Sequence, residues 1–110
     1  MKKKTKLILS ATTPNQWMLK DELTMMSLSE NWRALDKARP TIGAWQINFS
    51  DIKRMDSAGV AFLLGCIRYS ESHKIALQFL NLSSEVTELI EAQGVMSLIQ
   101  PYFKDQNASR

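Results

Sequence analysis

Between Trp45 and Ile67 the hydrophobic period of the chain changes, and that change constrains the fold more than any other feature. Trp45, Ile47 and Phe49 alternate with Gln46, Asn48 and Ser50, the two-residue repeat of a strand with one buried face. Past residues 51–55 the repeat lengthens, and Val60, Leu63, Leu64 and Ile67 fall at helical spacing, so they are expected to face the sheet. The junction is Asp56-Ser57-Ala58-Gly59. Asp56 and Ser57 both carry short oxygen-bearing side chains that accept from first-turn N–H groups, so either can cap a helix running over about 57–72. Gly59 keeps that turn uncrowded.

The flanking sequence supplies a sheet to present this turn. Residues 7–11 read as a short strand with Leu7 and Leu9 on one face, and residues 16–22 as a second with Trp17 and Leu19 alternating. Thr12-Thr13-Pro14-Asn15 between them is turn chemistry and predicts a hairpin. Met25, Leu28, Trp32 and Leu35 then recur at helical spacing through about Ala38, and Pro40 stops the helix. Ser27-Leu28-Ser29-Glu30 also fits a capping box, which leaves the helix start open by a few residues. Ile75, Leu77 and Phe79 mark a fourth strand. Ser83 or Ser84 caps a third helix carrying Val86, Leu89 and Ile90, with Gly94 as its stop, and 95–103 is a further short apolar segment. Strands joined through helices pair in parallel by right-handed crossovers. The expected fold is therefore α/β: a mixed four-stranded sheet, an antiparallel N-terminal hairpin plus parallel strands, with about three helices packed mainly on one face. With 110 residues, 45% of them hydrophobic, the chain is expected to form one domain over 1–110, with 1–5 and 104–110 loose.

The helix after the turn has a second face. Its sheet-directed stripe leaves Ala58, Ala61, Phe62, Gly65, Arg68, Tyr69 and Ser72 on the opposite side. Phe62 and Tyr69 among small residues there predict a surface on which another protein docks, the alternative being that they lean on a neighbouring element of the same chain.

Most reactive chemistry is missing. A nucleophile elbow needs Gly two residues before its serine, where Met55 stands. The one histidine, His73, lies at the far end of the same expected helix, on the order of 24 Å from Ser57 at about 1.5 Å per residue. One Cys, Cys66, and one His cannot make a structural zinc site, so no metal and no cofactor is expected. Phosphate-binding glycine loops are absent as well. The six methionines, among them Met25, Met26, Met55 and Met96, read as gap-fillers. The net charge of +3 resides in Lys2, Lys3, Lys4 and Lys6; without them 10 basic residues face 11 acidic ones. No basic stripe with interleaved aromatics suggests a nucleic-acid binder. The lysine tail is a solvated end or a weak contact for anionic lipid. No apolar run approaches the roughly 20 residues of a membrane span, and the basic start is followed by no cleavage site, so a cytoplasmic location is expected. What remains is binding.

Asp56-Ser57-Ala58-Gly59-Val60, entered through Phe49-Ser50-Asp51-Ile52, resembles the Asp-[Ser/Thr]-x-Gly-[hydrophobic] signature of STAS domains. Asp21-Glu22-Leu23-Thr24 stands where the family has a Gly-Glu-Leu-Asp-type strand end, and Glu91-Ala92-Gln93-Gly94-Val95 resembles its closing helix. The compact form, with Trp32 in the first helix, is most similar to the MlaB-like branch. That resemblance implies a non-catalytic cytoplasmic subunit, held at the inner membrane by a bacterial phospholipid-transporting ABC complex that maintains outer-membrane lipid asymmetry. Its implied partner is the ATPase subunit and, through it, the membrane permease, met at the matching Asp56, Ser57 and Gly59; together with the outward helix face read above, the expected partner-binding residues are Asp56, Ser57, Ala58, Gly59, Phe62, Gly65 and Tyr69. The other branch implied is the anti-sigma factor antagonists, in which the position of Ser57 is phosphorylated by a partner kinase. The sequence departs from the family pattern at Asp21, often Gly, and at Thr24, often Asp.

Overall fold

The computed structural model describes residues 5–9, as backbone, and 15–104. Its elements are β1 (Thr5–Leu9), β2 (Gln16–Leu23), α1 (Met25–Ala38), β3 (Ala44–Met55), α2 (Ser57–His73), β4 (Ala76–Leu80), α3 (Ser84–Ala92), the short α4 (Met96–Ile99) and a 3-10 turn, Gln100–Tyr102. The strands lie in sequence order, β1-β2-β3-β4. β1 pairs with β2 antiparallel, and β2, β3 and β4 are parallel. The expected turn at 12–15 and the facing of Leu7 and Leu9 lie outside the described residues, apart from Asn15, and so do the ends at 1–4 and 105–110.

Topology explains why the helices share a face. Successive right-handed crossovers that step in one direction across a sheet stay on one side of it. Accordingly the buried side chains of Trp17, Leu19, Leu23, Trp45, Ile47, Phe49, Leu77 and Phe79 meet Leu35, Val60, Leu63, Ile67, Val86 and Ile90 from the helices in a single core. On the opposite face Gln16, Gln46 and Gln78, in register across three strands, form an amide ladder at 3.3 and 2.9 Å, which suits a solvated sheet face.

Two details depart from the expected pattern. The alternation of β3 slips between Phe49 and Ile52, both buried, because the register with β2 shifts there; the Asn48 carboxamide oxygen accepts from the Ser50 N–H at the irregularity. The segment after Gly94 is also more helical than expected. It forms α4 and the 3-10 turn, so the helices number four among the described residues and not about three. Phe103 then makes a bridge to Phe79 at the β4 edge.

Local chemistry places the boundaries. Thr24 caps α1 and exchanges bonds with Ser27, a capping box three residues earlier than Ser27-Leu28-Ser29-Glu30. Ser83 caps α3, and Gly94 follows that helix at φ +78°. Asp21 sits at φ +74°, next to a register shift in β2. This is the left-handed region that favours glycine.

Candidate partner-docking site

At the serine turn the signature residues divide by what the fold asks of them. Asp56 is the N-cap of α2: its Oδ1 accepts from the N–H groups of Ala58 at 2.9 Å and Gly59 at 3.3 Å. Its Oδ2 accepts from the Met25 N–H at 3.1 Å. One carboxylate therefore closes the first turns of two helices, where unsatisfied N–H groups and the positive ends of both helix dipoles favour an anion. Gly59 is fixed by space, since a Cβ there would lie 2.3 Å from Met55 Cγ and 2.6 Å from the Leu23 carbonyl oxygen. The helix start is pressed on the end of β2, and only hydrogen fits.

Ser57 stands apart. It is the first helical residue, not the cap; it is exposed, and its hydroxyl makes no hydrogen bond among the described residues. Of the two residues able to cap, Asp56 has the extended backbone of an N-cap, whereas Ser57 is already inside the helix. The exposed line continues along α2 through Ala61 and Gly65 to Arg68, with Ala58 half-buried beside it. At Gly65 an added Cβ would meet nothing within 4 Å, so this chain's own packing does not require glycine there.

The aromatics expected on this surface lie elsewhere. Phe62 is only 8% exposed, enclosed where α1 crosses α2, against Trp32, Leu35 and Arg39. Tyr69 is half-buried: its hydroxyl donates to the Pro40 carbonyl at 2.9 Å, its ring stands edge-on to Trp45 at 5.8 Å, and the Arg39 guanidinium lies 4.1 Å above it. The outward placement of both is thus corrected, because the end of α1 and the residues after it fold back over this part of α2. Leu64, expected against the sheet, is half-buried at the rim.

Exposed apolar surface comes instead from α1. Met25 is 68% exposed and Met26 56%, above a groove shared with Thr24, Arg54 and Asp56, so these two are not gap-fillers. Trp32, at the expected helical spacing, is 48% exposed. No signal at Met25 and Met26 themselves distinguished them from core residues, because adjacent residues of a helix can both be buried, as Phe62 and Leu63 are.

Among the described residues no cluster of His, Cys, Asp and Glu is arranged to hold a metal. Cys66 is enclosed, and burial pushes its thiol far above the usual range, with Arg39 opposing slightly. No helix among the described residues is long and apolar enough to cross a membrane.

A comparison with curated protein sequences finds no match. Among solved structures the chain is similar to the anti-sigma factor antagonist SpoIIAA in its unphosphorylated form, with TM-score 0.64 and 21% identity over 89% of this chain and 85% of that one. It is also similar to the Bacillus cell fate determinant SpoIIAA in the phosphorylated form, with TM-score 0.57 and 21% identity over 89% and 88%. At this identity the likeness speaks for the α/β STAS-like fold. The family model described as "Mlab, STAS domain" matches residues 15–100, a span that holds every strand from β2 onward, both crossover helices and the whole serine turn. The chain belongs to the Mlab STAS-domain family.

Proposed function

We propose that this protein is a non-enzymatic accessory subunit of a bacterial phospholipid-transporting ABC complex that maintains outer-membrane lipid asymmetry. In this reading it is a cytoplasmic protein of one domain, needs no cofactor, and reaches the inner membrane through the transporter, aided at most by a weak contact of Lys2, Lys3 and Lys4 with anionic lipid. It binds the ATPase subunit through the 56–59 turn and the exposed side of α2. The observation that carries the proposal is the exposed line of Ser57, Ala61 and Gly65, which the chain's own packing leaves unused, beside Met25 and Met26. Small residues let a partner backbone approach closely, and methionines adapt to its contour. Asp56 and Gly59 serve the same surface by holding the turn in shape. Phe62 and Tyr69 support it from beneath rather than touching the partner.

Co-purification tests this. Ser57→Arg and Gly65→Arg place bulk on the surface without entering the core, so both are expected to abolish recovery of the ATPase subunit while the isolated protein keeps its unfolding temperature. Undiminished recovery with both variants overturns the proposed surface.

One alternative has an observation in its favour. Two of the solved structures it resembles are an anti-sigma factor antagonist, SpoIIAA, in its unphosphorylated and phosphorylated forms, and the Ser57 hydroxyl is accessible at a helix N-terminus, where a phosphate is electrostatically favoured. An antagonist switched at Ser57 would accept phosphate from a cognate anti-sigma kinase. The transporter reading predicts no label on Ser57 in that assay.

A further inference from the structure

A groove of about 660 Å³ opens where β2 ends and α1 begins. Met25 and Met26, 68% and 56% exposed, form its apolar part. The charged side chains on its walls, among the described residues, are the carboxylates of Glu22, Glu30 and Asp56 and the guanidinium of Arg54. Asp56 is spent on the first turns of α1 and α2, so Glu22 and Glu30 carry the attraction for a cation. Exposed methionines bordered by carboxylates suit lysine in particular, whose four-carbon stem covers apolar surface while its ammonium reaches the charge at the edge.

Strand register shows where such side chains can come from. β1 lies antiparallel to β2 with Thr5 opposite Asp21, and α1 packs over β1. The residues that precede Thr5 are Lys2, Lys3 and Lys4. Counted on along the same ladder, positions 4, 3 and 2 come level with Glu22, Leu23 and Thr24, the last being the N-cap of α1. Position 4 then opposes Glu22, and opposite charges across neighbouring strands favour pairing. The chain's longest run of like charge thus begins one residue from its acidic groove.

We infer that the occupant of this groove in the free protein is the chain's own Lys2, Lys3 and Lys4, their ammonium groups paired with Glu22 and Glu30 and their stems laid on Met25 and Met26. The contact covers the methionines, so a partner that uses them must displace the lysines. That consequence rests on the docking reading above; the contact itself does not.

Methionine-methyl carbon-13 spectra of the full chain test the contact. At about 0.01 M salt, where the Debye length is roughly 30 Å, the triple variant Lys2→Gln, Lys3→Gln, Lys4→Gln is expected to shift the Met25 and Met26 methyl signals and leave that of Met96, on α4, in place. At about 1 M salt, with a Debye length of roughly 3 Å, the wild type is expected to take the positions of the triple variant. Glu30→Gln, on the exposed side of α1, is expected to move the same two signals in the same direction. Coincident Met25 and Met26 signals in the wild type and the triple variant at low salt overturn the contact, and so does a dependence on the lysines that arises only with phosphatidylglycerol vesicles. With the ATPase subunit, the triple variant is expected to bind about threefold more tightly at low salt, as when roughly two-thirds of the free protein is covered. Equal or weaker binding, with the methyl shifts present, overturns the displacement and upholds the contact; binding lost in Ser57→Arg reports on the docking reading separately.

Discussion

The four residues of the serine turn carry different duties, and stability measurements separate them. Asp56 satisfies N–H groups on both α1 and α2, so Asp56→Ala is expected to cost about 2–3 kcal/mol by urea unfolding, more than the roughly 1 kcal/mol of a single lost cap. Ser57 caps nothing, and Ser57→Ala is expected to stay within about 0.5 kcal/mol of the wild type. A Ser57→Ala loss near 1 kcal/mol would mean that the serine shares the cap. Gly59→Ala drives a methyl toward the Leu23 carbonyl and is expected to cost about 1–3 kcal/mol. Outside the turn, Tyr102 donates to Glu71 at 2.8 Å, and that hydrogen bond, then desolvation and the carboxylate charge, hold its phenol above the usual range. With the folded value raised, this contribution to stability is complete below the unfolded phenol value of about 10 and is lost as pH rises through the folded one. Phenolate absorbance of the wild type and Tyr102→Phe checks it; a group in the wild type, absent from the variant, should ionise on the high side of an ordinary tyrosine.

At the scale of elements, the sequence was legible where one period decided the outcome and illegible where another element intervened. The strand repeat of Trp45, Ile47 and Phe49, the helical repeat from Val60 and the cap at Ser83 depend on neighbours in sequence, and each stands where the pattern puts it. The family's departures at Asp21 and Thr24 also resolve locally: Asp21 keeps the positive φ that glycine would hold, and Thr24 caps α1, which an aspartate would do as well. A helical wheel, however, carries no information about a second helix. It placed Phe62 and Tyr69 outward because it could not see Arg39 and Pro40 folding back over α2, and nothing in the turn announced that Asp56 also reaches α1. The wheel was right about Ala61 and Gly65, which no element covers. Gly65 gives this a thermodynamic signature. In the interior of a 17-residue helix it carries the entropic penalty of glycine with no steric need, so Gly65→Ala is expected to raise stability by about 0.5–1 kcal/mol in thermal unfolding. A destabilised Gly65→Ala would place an unseen neighbour at that position.

For the whole molecule, stepwise crossovers leave one sheet face without helices among the described residues and gather the helices on the other. The two outer surfaces differ in kind. The bare sheet carries a ladder of three hydrogen-bonded glutamines with Met18 and Leu80 half-buried beside them, whereas the helical side exposes methionines, small residues and an unengaged serine. A partner that gains by covering apolar surface and by approaching a backbone closely belongs on the helical side. Site-specific photocrosslinking in the assembled transporter puts this to the most direct test, with a benzophenone side chain at Ser57 in one sample and at Gln46 in another. The account predicts a crosslink to the ATPase subunit from position 57 and none from position 46; a crosslink from position 46 alone would contradict it.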